Sequence, residues 1–471
     1  MKLHRRNYLL TSLFCVILIL ASIPIILADI EPMGTGSDHW IVDSLVYDDN
    51  SNEESWPSLA TDSNGNIYVA YQHYDSGFER FRIYVSTSTD GGQTWTLFYT
   101  IQKSTSLMNP SIAIDPHDNR VYVAYEEEIS TSDHDILCSV YTGTGWIERV
   151  VDDDTQNDRF PSIVSDFQFG SSNYQYISYE KLYSYNDRDI YVAKSIDHGN
   201  TWPQWHYGNL GGYVLTQTWI TTNQDGHVYL AAAVSPDYAD HKWLNIYYGD
   251  RASTSGWFEN LAQPYNAAMA AGHGANSPSM VASHNNPNLL VVVFQRYITS
   301  TNDDVCYAYT DDGGTTWYWG NISNTGYNER HPTITVDGQG STSTSVAGYF
   351  RVAYYYGLFI HYKQAYDSTP TSWNAYPARP NPISGGPGTG ANDAERSISI
   401  ITQKDDADIW WPNIVWTDNR GSSQDLYSTT TGNNPIIPEF PSFLILPLFM
   451  IATLLAVIVY RRRCQLPLKS E

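Results

Sequence analysis

Ser88-Thr89-Asp90-Gly91-Gly92-Gln93-Thr94-Trp95 is the stretch on which the fold turns. A hydroxyl and a carboxylate precede two glycines, and a tryptophan follows. The short polar side chains can satisfy the N–H groups of a tight turn, and glycine supplies the positive φ such a turn needs. Ser195-Ile196-Asp197-His198-Gly199-Asn200-Thr201-Trp202 repeats the pattern, and so does Thr310 to Trp317, with Thr in place of Ser. The tryptophans carry the period further. Trp40, Trp95, Trp146, Trp202, Trp257, Trp317 and Trp373 succeed one another at steps of 55, 51, 56, 55, 60 and 56.

Working outward from each tryptophan, four strand-like pieces fill one period. The first opens at x-Pro-Ser or a close variant: Trp56-Pro57-Ser58, Asn109-Pro110-Ser111, Phe160-Pro161-Ser162, Ser277-Pro278-Ser279 and His331-Pro332-Thr333. The second alternates, as in Ile67-Tyr68-Val69-Ala70-Tyr71, and the third resembles Asp189 to Ser195. The turn then delivers the tryptophan and a fourth strand. Short strands repeated radially at a fixed period predict a propeller. The last period has three strands, 397–401, 409–416 and 425–430, and the unmatched His39-Trp40-Ile41-Val42-Asp43 supplies a fourth from the start of the chain. The expectation is therefore an all-β fold, a seven-bladed β-propeller closed by the N-terminal strand, in which closure removes the exposed edges of an open stack.

The two ends read differently. Residues 1–28 open with Lys2, Arg5 and Arg6 before an apolar run, which predicts a signal peptide or N-terminal anchor. Residues 443–460 are apolar and uncharged, and Arg461, Arg462 and Arg463 stop them. At about 1.5 Å per residue this length just spans a bilayer core as a transmembrane helix. The expected organisation is 1–28 signal or anchor, 38–431 propeller, 432–442 linker, 443–460 membrane helix and 461–471 cytoplasmic basic tail. Basic flanks put both ends inside and the propeller outside.

Charge excludes one class of partner. With the two ends removed, 19 basic residues face 49 acidic ones, a net charge of −30. Such a surface repels nucleic acid and anionic lipid. Cys138 and Cys306 are the only cysteines away from the two ends, which excludes a disulfide framework, and a core of this size does not need one.

Over residues 38–431 the three turns, in register with the period, resemble the Asp-box repeats of bacterial-neuraminidase (sialidase-like) propellers. The segment Pro438-Glu439-Phe440-Pro441, with the apolar run and the arginines after it, resembles the PEF-type C-terminal sorting tails of archaeal surface proteins. The second resemblance implies an archaeal cell envelope. In the turns themselves, Asp90, Asp197 and Asp312 read as fold residues.

Candidate chemistry lies at the starts of the innermost strands. Asp158-Arg159, Glu329-Arg330 and Glu395-Arg396 are acid–arginine doublets just before a first strand. Arg159-Phe160-Pro161 and Arg330-His331-Pro332 resemble the sialidase Arg-Ile-Pro motif. The resemblance implies that Arg159, Arg330 and Arg396 grip a substrate carboxylate bidentately. Val415-Trp416-Thr417-Asp418-Asn419-Arg420 is similar to the sialidase loop that carries the acid/base, which implies a proton-transfer role for Asp418 and places Arg420 among the ligand contacts. The plainer readings are solvated ion pairs and a loop-capping aspartate.

A sialidase also needs a tyrosine nucleophile primed by a carboxylate. Tyr125-Glu126 and Tyr179-Glu180 are adjacent pairs, but neighbours on a strand point to opposite faces. Asp152-Asp153-Asp154 with Asp158, and Asp303-Asp304, could offer oxygen ligands to Ca²⁺; without EF-hand spacing, solvated acidic loops are the plainer expectation, and neither a metal site nor a cofactor is assigned. Asn321-Ile322-Ser323 is an N-glycosylation sequon. The expected function is recognition of a glycan or envelope partner at the cell surface. The alternatives are a sialidase-type exo-glycosidase and a structural envelope protein.

Overall fold

The computed structural model describes residues 44–47, 52–166, 174–184, 187–207, 214–235, 243–250, 259–265, 274–299, 302–338, 348–356, 359–374, 397–404, 410–418 and 424–430. The signal segment, Trp40, Trp257, Arg396, Arg420, the 443–460 span and the basic tail lie outside the described residues. Among those described, no helix is long and apolar enough to cross a membrane.

Every described element is a β-strand, and the strands fall into successive antiparallel groups. After β1 (Ser44–Tyr47), the first group is β2 (Glu54–Thr61), β3 (Ile67–Asp75), β4 (Arg80–Ser88) and β5 (Thr96–Ile101). The second is β6 (Ser106–Ile114), β7 (Val121–Ser130), β8 (Asp133–Tyr141) and β9 (Trp146–Asp152). The third is β10 (Asn157–Ser165), β11 (Gln175–Ser184), β12 (Asp187–Ser195) and β13 (Gln204–Tyr207). The fourth is β14 (Val214–Thr222), β15 (His227–Ser235), β16 (Trp243–Asp250) and β17 (Glu259–Tyr265). The fifth is β18 (Ala275–Ala282), β19 (Leu290–Thr299), β20 (Asn302–Thr310) and β21 (Tyr318–Ser323). In the sixth, β22 (Glu329–Val336), β23 (Tyr349–Tyr356) and β24 (Phe359–Tyr366) are extended by a bridge from Gln364 to Asn374. The last holds β25 (Ile398–Lys404), β26 (Trp410–Asp418) and β27 (Asp425–Thr430), with β1 added at its edge.

The N-terminal strand β1 pairs antiparallel with β27. Ser44 faces Ser428, Leu45 faces Tyr427 and Tyr47 faces Leu426, with a bulge between Leu45 and Tyr47. Residues 40–43 lie outside the described part, so the register of Trp40 is not seen.

First strands contact one another in the order β2, β6, β10, β14, β18, β22, β25 and back to β2. A relay of serines joins them. Ser58 Oγ accepts from Ile112 N, Ser111 from Ile163 N, Ser162 from Ile220 N and Ser279 from Ile334 N. Ser399 accepts from Leu59 N at 3.2 Å, which ties the last group to the first. The serine of x-Pro-Ser thus satisfies a backbone donor of the next sheet that its own ladder leaves unpaired.

Apolar side chains fill each gap between consecutive groups. Tyr122, Val140, Ile163, Ile177 and Ala193 form one such cluster, and Val46, Val415 and Leu426 meet Leu59, Val69 and Tyr71 in another. Burying one large side chain of this kind contributes roughly 1.5–3 kcal/mol. The periodic tryptophans serve these gaps. Trp95, Trp146, Trp202, Trp317 and Trp373 each pack into a different cluster, against the preceding group.

The glycine turns are self-satisfied, as their composition implies. Asp90 Oδ1 accepts from Gln93 N and Thr94 N, while Gly92 N donates to Ser88 Oγ. The same bonds recur around Asp197 and Asp312. Thr316 N–H holds the Asp312 carboxyl down at about 2. Cys138 and Cys306 are free and buried, in β8 and β20.

Candidate functional site

Strand alternation sorts the chemistry into two rims. First strands begin, second strands end and third strands begin at one rim. The glycine turns, between third and fourth strands, lie at the other. Arg159 and Arg330 open β10 and β22, and Asp418 ends β26, so all three share the rim opposite Asp90, Asp197 and Asp312.

At that rim six of the seven first strands bulge, β25 being the exception among the described residues. Trp56, Asn109, Phe160, Gln217, Ser277 and His331 take φ between 47 and 59°, and each lies inside a register slip of its strand. A left-handed non-glycine residue costs roughly 1–2 kcal/mol. In five of them its N–H is bound by the preceding group, which helps to offset that cost. Gln72 takes Asn109 N, Glu126 takes Phe160 N, Glu180 takes Gln217 N, Gln217 takes Ser277 N and Gln295 takes His331 N.

Four of these clasps follow an aromatic residue in sequence: Tyr71-Gln72, Tyr125-Glu126, Tyr179-Glu180 and Phe294-Gln295. The aromatic is buried between sheets, and the acid or amide turns the other way to hold the next strand. In sequence, Tyr125-Glu126 and Tyr179-Glu180 read only as a nucleophile with its partner. Their recurrence at the period of the fold was the signal available.

The bulged residues surround the mouth of the channel between the first strands. Trp56 and Phe160 belong to groups one and three, yet their rings stack at 5.8 Å and 18°. They therefore meet across Asn109 of group two. Beneath the mouth, a recess of about 50 Å³ is lined by Ser58, Ser111, Ser279 and Thr333. A second, of about 80 Å³, is lined by Leu59, Ile112, Ile163 and Ile401. Each has room for a few water molecules at most. Neither recess is large enough for a sugar.

Arg159 stands directly before Phe160. Its Nε donates to Asn157 Oδ1 at 2.7 Å and its Nη2 to His134 Nε2 at 3.2 Å. Glu126, fully buried, backs the assembly. Its Oε1 accepts from Asn109 Nδ2 and Phe160 N, and its Oε2 lies 3.4 Å from His134 Nδ1. Among the described residues, then, Arg159 is oriented by an amide and an imidazole rather than a carboxylate. Arg330 occupies the same place in its group, but its Nε donates to the buried Asp303 at 2.7 Å. One position in the preceding third strand separates the two arginines: His134 pairs with Asn157, whereas Asp303 pairs with Asn328.

The neighbouring acids do not neutralise these arginines. Glu329 accepts from Ser323 and Thr325, and Asp158 lies 3.6 Å from Lys181 Nζ. The Asp152, Asp154 and Asp158 carboxylates do converge as a cation site would require. The cation among them is Lys181, 2.5 Å from Asp152 and 2.7 Å from Asp154. The oxygen-ligand reading of this acidic run therefore gives way to an internal ammonium. In the pair Asp303-Asp304, Asp303 is bound to Arg330 and Asp304 lies 3.7 Å from Arg296.

Asp418 is fully buried, and its Oδ2 accepts from Trp416 Nε1 at 3.1 Å. Tyr125 and Tyr179 are equally buried, with their hydroxyls on Glu148 and Asp152. Burial, reinforced by those carboxylates, raises both phenols well above their ordinary range. Neither is set up as a nucleophile.

No protein-family model matches the chain, and no curated protein does. Solved structures do. A protein of unknown function from Dyadobacter fermentans is 12% identical, with a TM-score of 0.47, over 83% of this chain and 98% of its own. A Hadza microbial sialidase is 16% identical, with a TM-score of 0.44, over 68% and 66%. An α-L-arabinanase of Penicillium chrysogenum is 12% identical, with a TM-score of 0.46, over 70% and 99%. Likeness at this level assigns no activity.

Proposed function

We propose that the chain is a seven-bladed β-propeller, closed by its N-terminal strand and held outside the cell by the 443–460 helix, which recognises an acidic glycan at its channel mouth. The carrying observation is Arg159, a guanidinium oriented by Asn157 and His134 and next in sequence to Phe160, whose ring stacks on Trp56. A guanidinium fork grips a carboxylate bidentately, and an aromatic edge or face packs against the apolar side of a sugar ring. On a chain this acidic, an arginine with no carboxylate partner among the described residues gives local attraction for an anion that the rest of the surface repels. The ring of first-strand contacts and the β1–β27 pairing support closure.

The reading favours recognition over hydrolysis. Tyr125 and Tyr179 are buried with protonated hydroxyls, and Asp418 is enclosed. The test is a glycan panel screened against the full-length protein in detergent. Sugars ending in uronic or sialic acid should bind without being cleaved, and Arg159→Ala should weaken retention. If no acidic glycan binds, or if Arg159→Ala binds as well as wild type, the mouth is not the site. Released sugar in the same wells would move the assignment to a glycosidase.

A further inference from the structure

We infer that Asn321 is an N-glycosylation site and that the exposed ring of Trp319 is the platform for its first sugar. Both residues lie on β21, the outermost strand of the fifth sheet, and both are exposed. They are two apart on a strand, so their side chains share a face, roughly 7 Å from one another. Gly320 between them carries no side chain, and a Cβ there would meet the Tyr307 hydroxyl at 2.8 Å on the other face. Arg296 sits 5.5 Å from the centroid of the Trp319 ring and braces it.

The amide of Asn321 is already oriented. Its Oδ1 accepts from the buried thiol of Cys306 at 3.2 Å, which turns Nδ2, the atom that would carry the sugar, outward. The strand bulges here, since Asn321 faces Cys306 while Ser323 faces Val305. A pyranose on Nδ2 would lie over Trp319, cover an exposed tryptophan and shield an edge strand from pairing with another chain. Nothing in the channel-mouth reading calls for a large aromatic at this edge.

Ser323 fixes the order of events. Its hydroxyl is buried and donates to Glu329 Oε1 at 2.8 Å, so a transferase cannot reach it once β21 is in place. Transfer therefore precedes docking of this strand, as the chain emerges from the membrane. The donor class is a lipid-linked oligosaccharide. Asn321 Nδ2 forms a bond to sugar C1, the C1–O bond to the lipid (pyro)phosphate breaks, and that phosphate leaves with the electron pair. The amide proton passes to a base of the transferase. The assignment rests on export of the chain and is independent of what the mouth binds.

The experiment is mass spectrometry of the full-length protein isolated from its native cells. The tryptic peptide spanning 297–330 should carry a glycan mass localised to Asn321. Asn321→Gln and Ser323→Ala should both remove it, while Ser323→Thr, which keeps the sequon hydroxyl, should retain it. Removing the glycan should lower the thermal midpoint of wild type but not of Trp319→Ala. An unmodified 297–330 peptide overturns the assignment. Protease treatment of intact cells shows whether the cause is failure of export. A glycan whose removal shifts both proteins equally overturns the role of Trp319.

Discussion

The carboxylate of Glu126, in β7, accepts the backbone N–H of Phe160, in β10, at 2.5 Å and so spans two sheets. Phe160 is left-handed at φ 54° and sits in the register slip between Arg159 and Ser162. One buried acid thus holds the bulge that places Phe160 beside Trp56 and Arg159 in front of His134.

Glu126→Ala should be costly. It strands the buried Asn109 amide and the half-buried Phe160 N–H, and each unmet buried donor costs about 1–3 kcal/mol. Glu126→Gln should cost much less, because Gln72 and Gln295 make the same clasp elsewhere. Urea unfolding of both variants measures this. Equal loss from the two substitutions would mean that the charge, and not the clasp, matters.

The two arginines should part company. Arg159→Ala should weaken binding of an acidic sugar by about 1.5–3 kcal/mol, the scale of a charge-assisted bond, and barely change stability. Arg330→Ala removes a partner of the buried Asp303 and should destabilise the fold by about 1–3 kcal/mol with little direct effect on binding. Titration calorimetry and thermal melts on both proteins check the pair. The reverse pattern would exchange their roles.

Stability should fall as pH rises between about 4 and 9. Burial first, and Asp152 next, push the Asp158 carboxyl up to about 9, and Lys181 only partly offsets them. A group whose folded value is raised stabilises fully below its unfolded value of 3.8, and loses that contribution as pH rises through the folded value. Asp158→Asn cannot ionise, so its thermal midpoint should change less from pH 5 to pH 9 than that of wild type. Parallel profiles for the two proteins would remove Asp158 as the cause.

A chain beginning at Asn52 lacks β1. It leaves β27 with an unpaired edge and removes Val46 from the gap between the last and first groups. Such a chain should unfold without cooperativity or aggregate, as seen by calorimetry and light scattering. Unchanged unfolding would show that the β1–β27 pair contributes little.

What the sequence determined by itself is whatever repeats locally. The glycine turns satisfy their own N–H groups within eight residues, so Asp90, Asp197 and Asp312 could be read as fold residues from composition alone. The tryptophan period gave the strand groups, because each group is one local unit of four strands. The acid–arginine doublets are visible as motifs, and the position of Asp158-Arg159 and Glu329-Arg330 at strand starts is legible too.

Which arginine keeps its charge available was not legible. Arg159 and Arg330 have nearly the same flanks, Asn157-Asp158 and Asn328-Glu329, and differ in what the preceding sheet presents. His134 and Asp303 come against them through parallel contacts between groups, 25 and 27 residues back in the chain. The acidic run at 152–154 reads in sequence as a solvated loop for the same reason: its lysine arrives from β11, a strand away. Charge pairing acts over a few ångströms of space and is indifferent to sequence distance. Only the stacking of one sheet on the next could decide it.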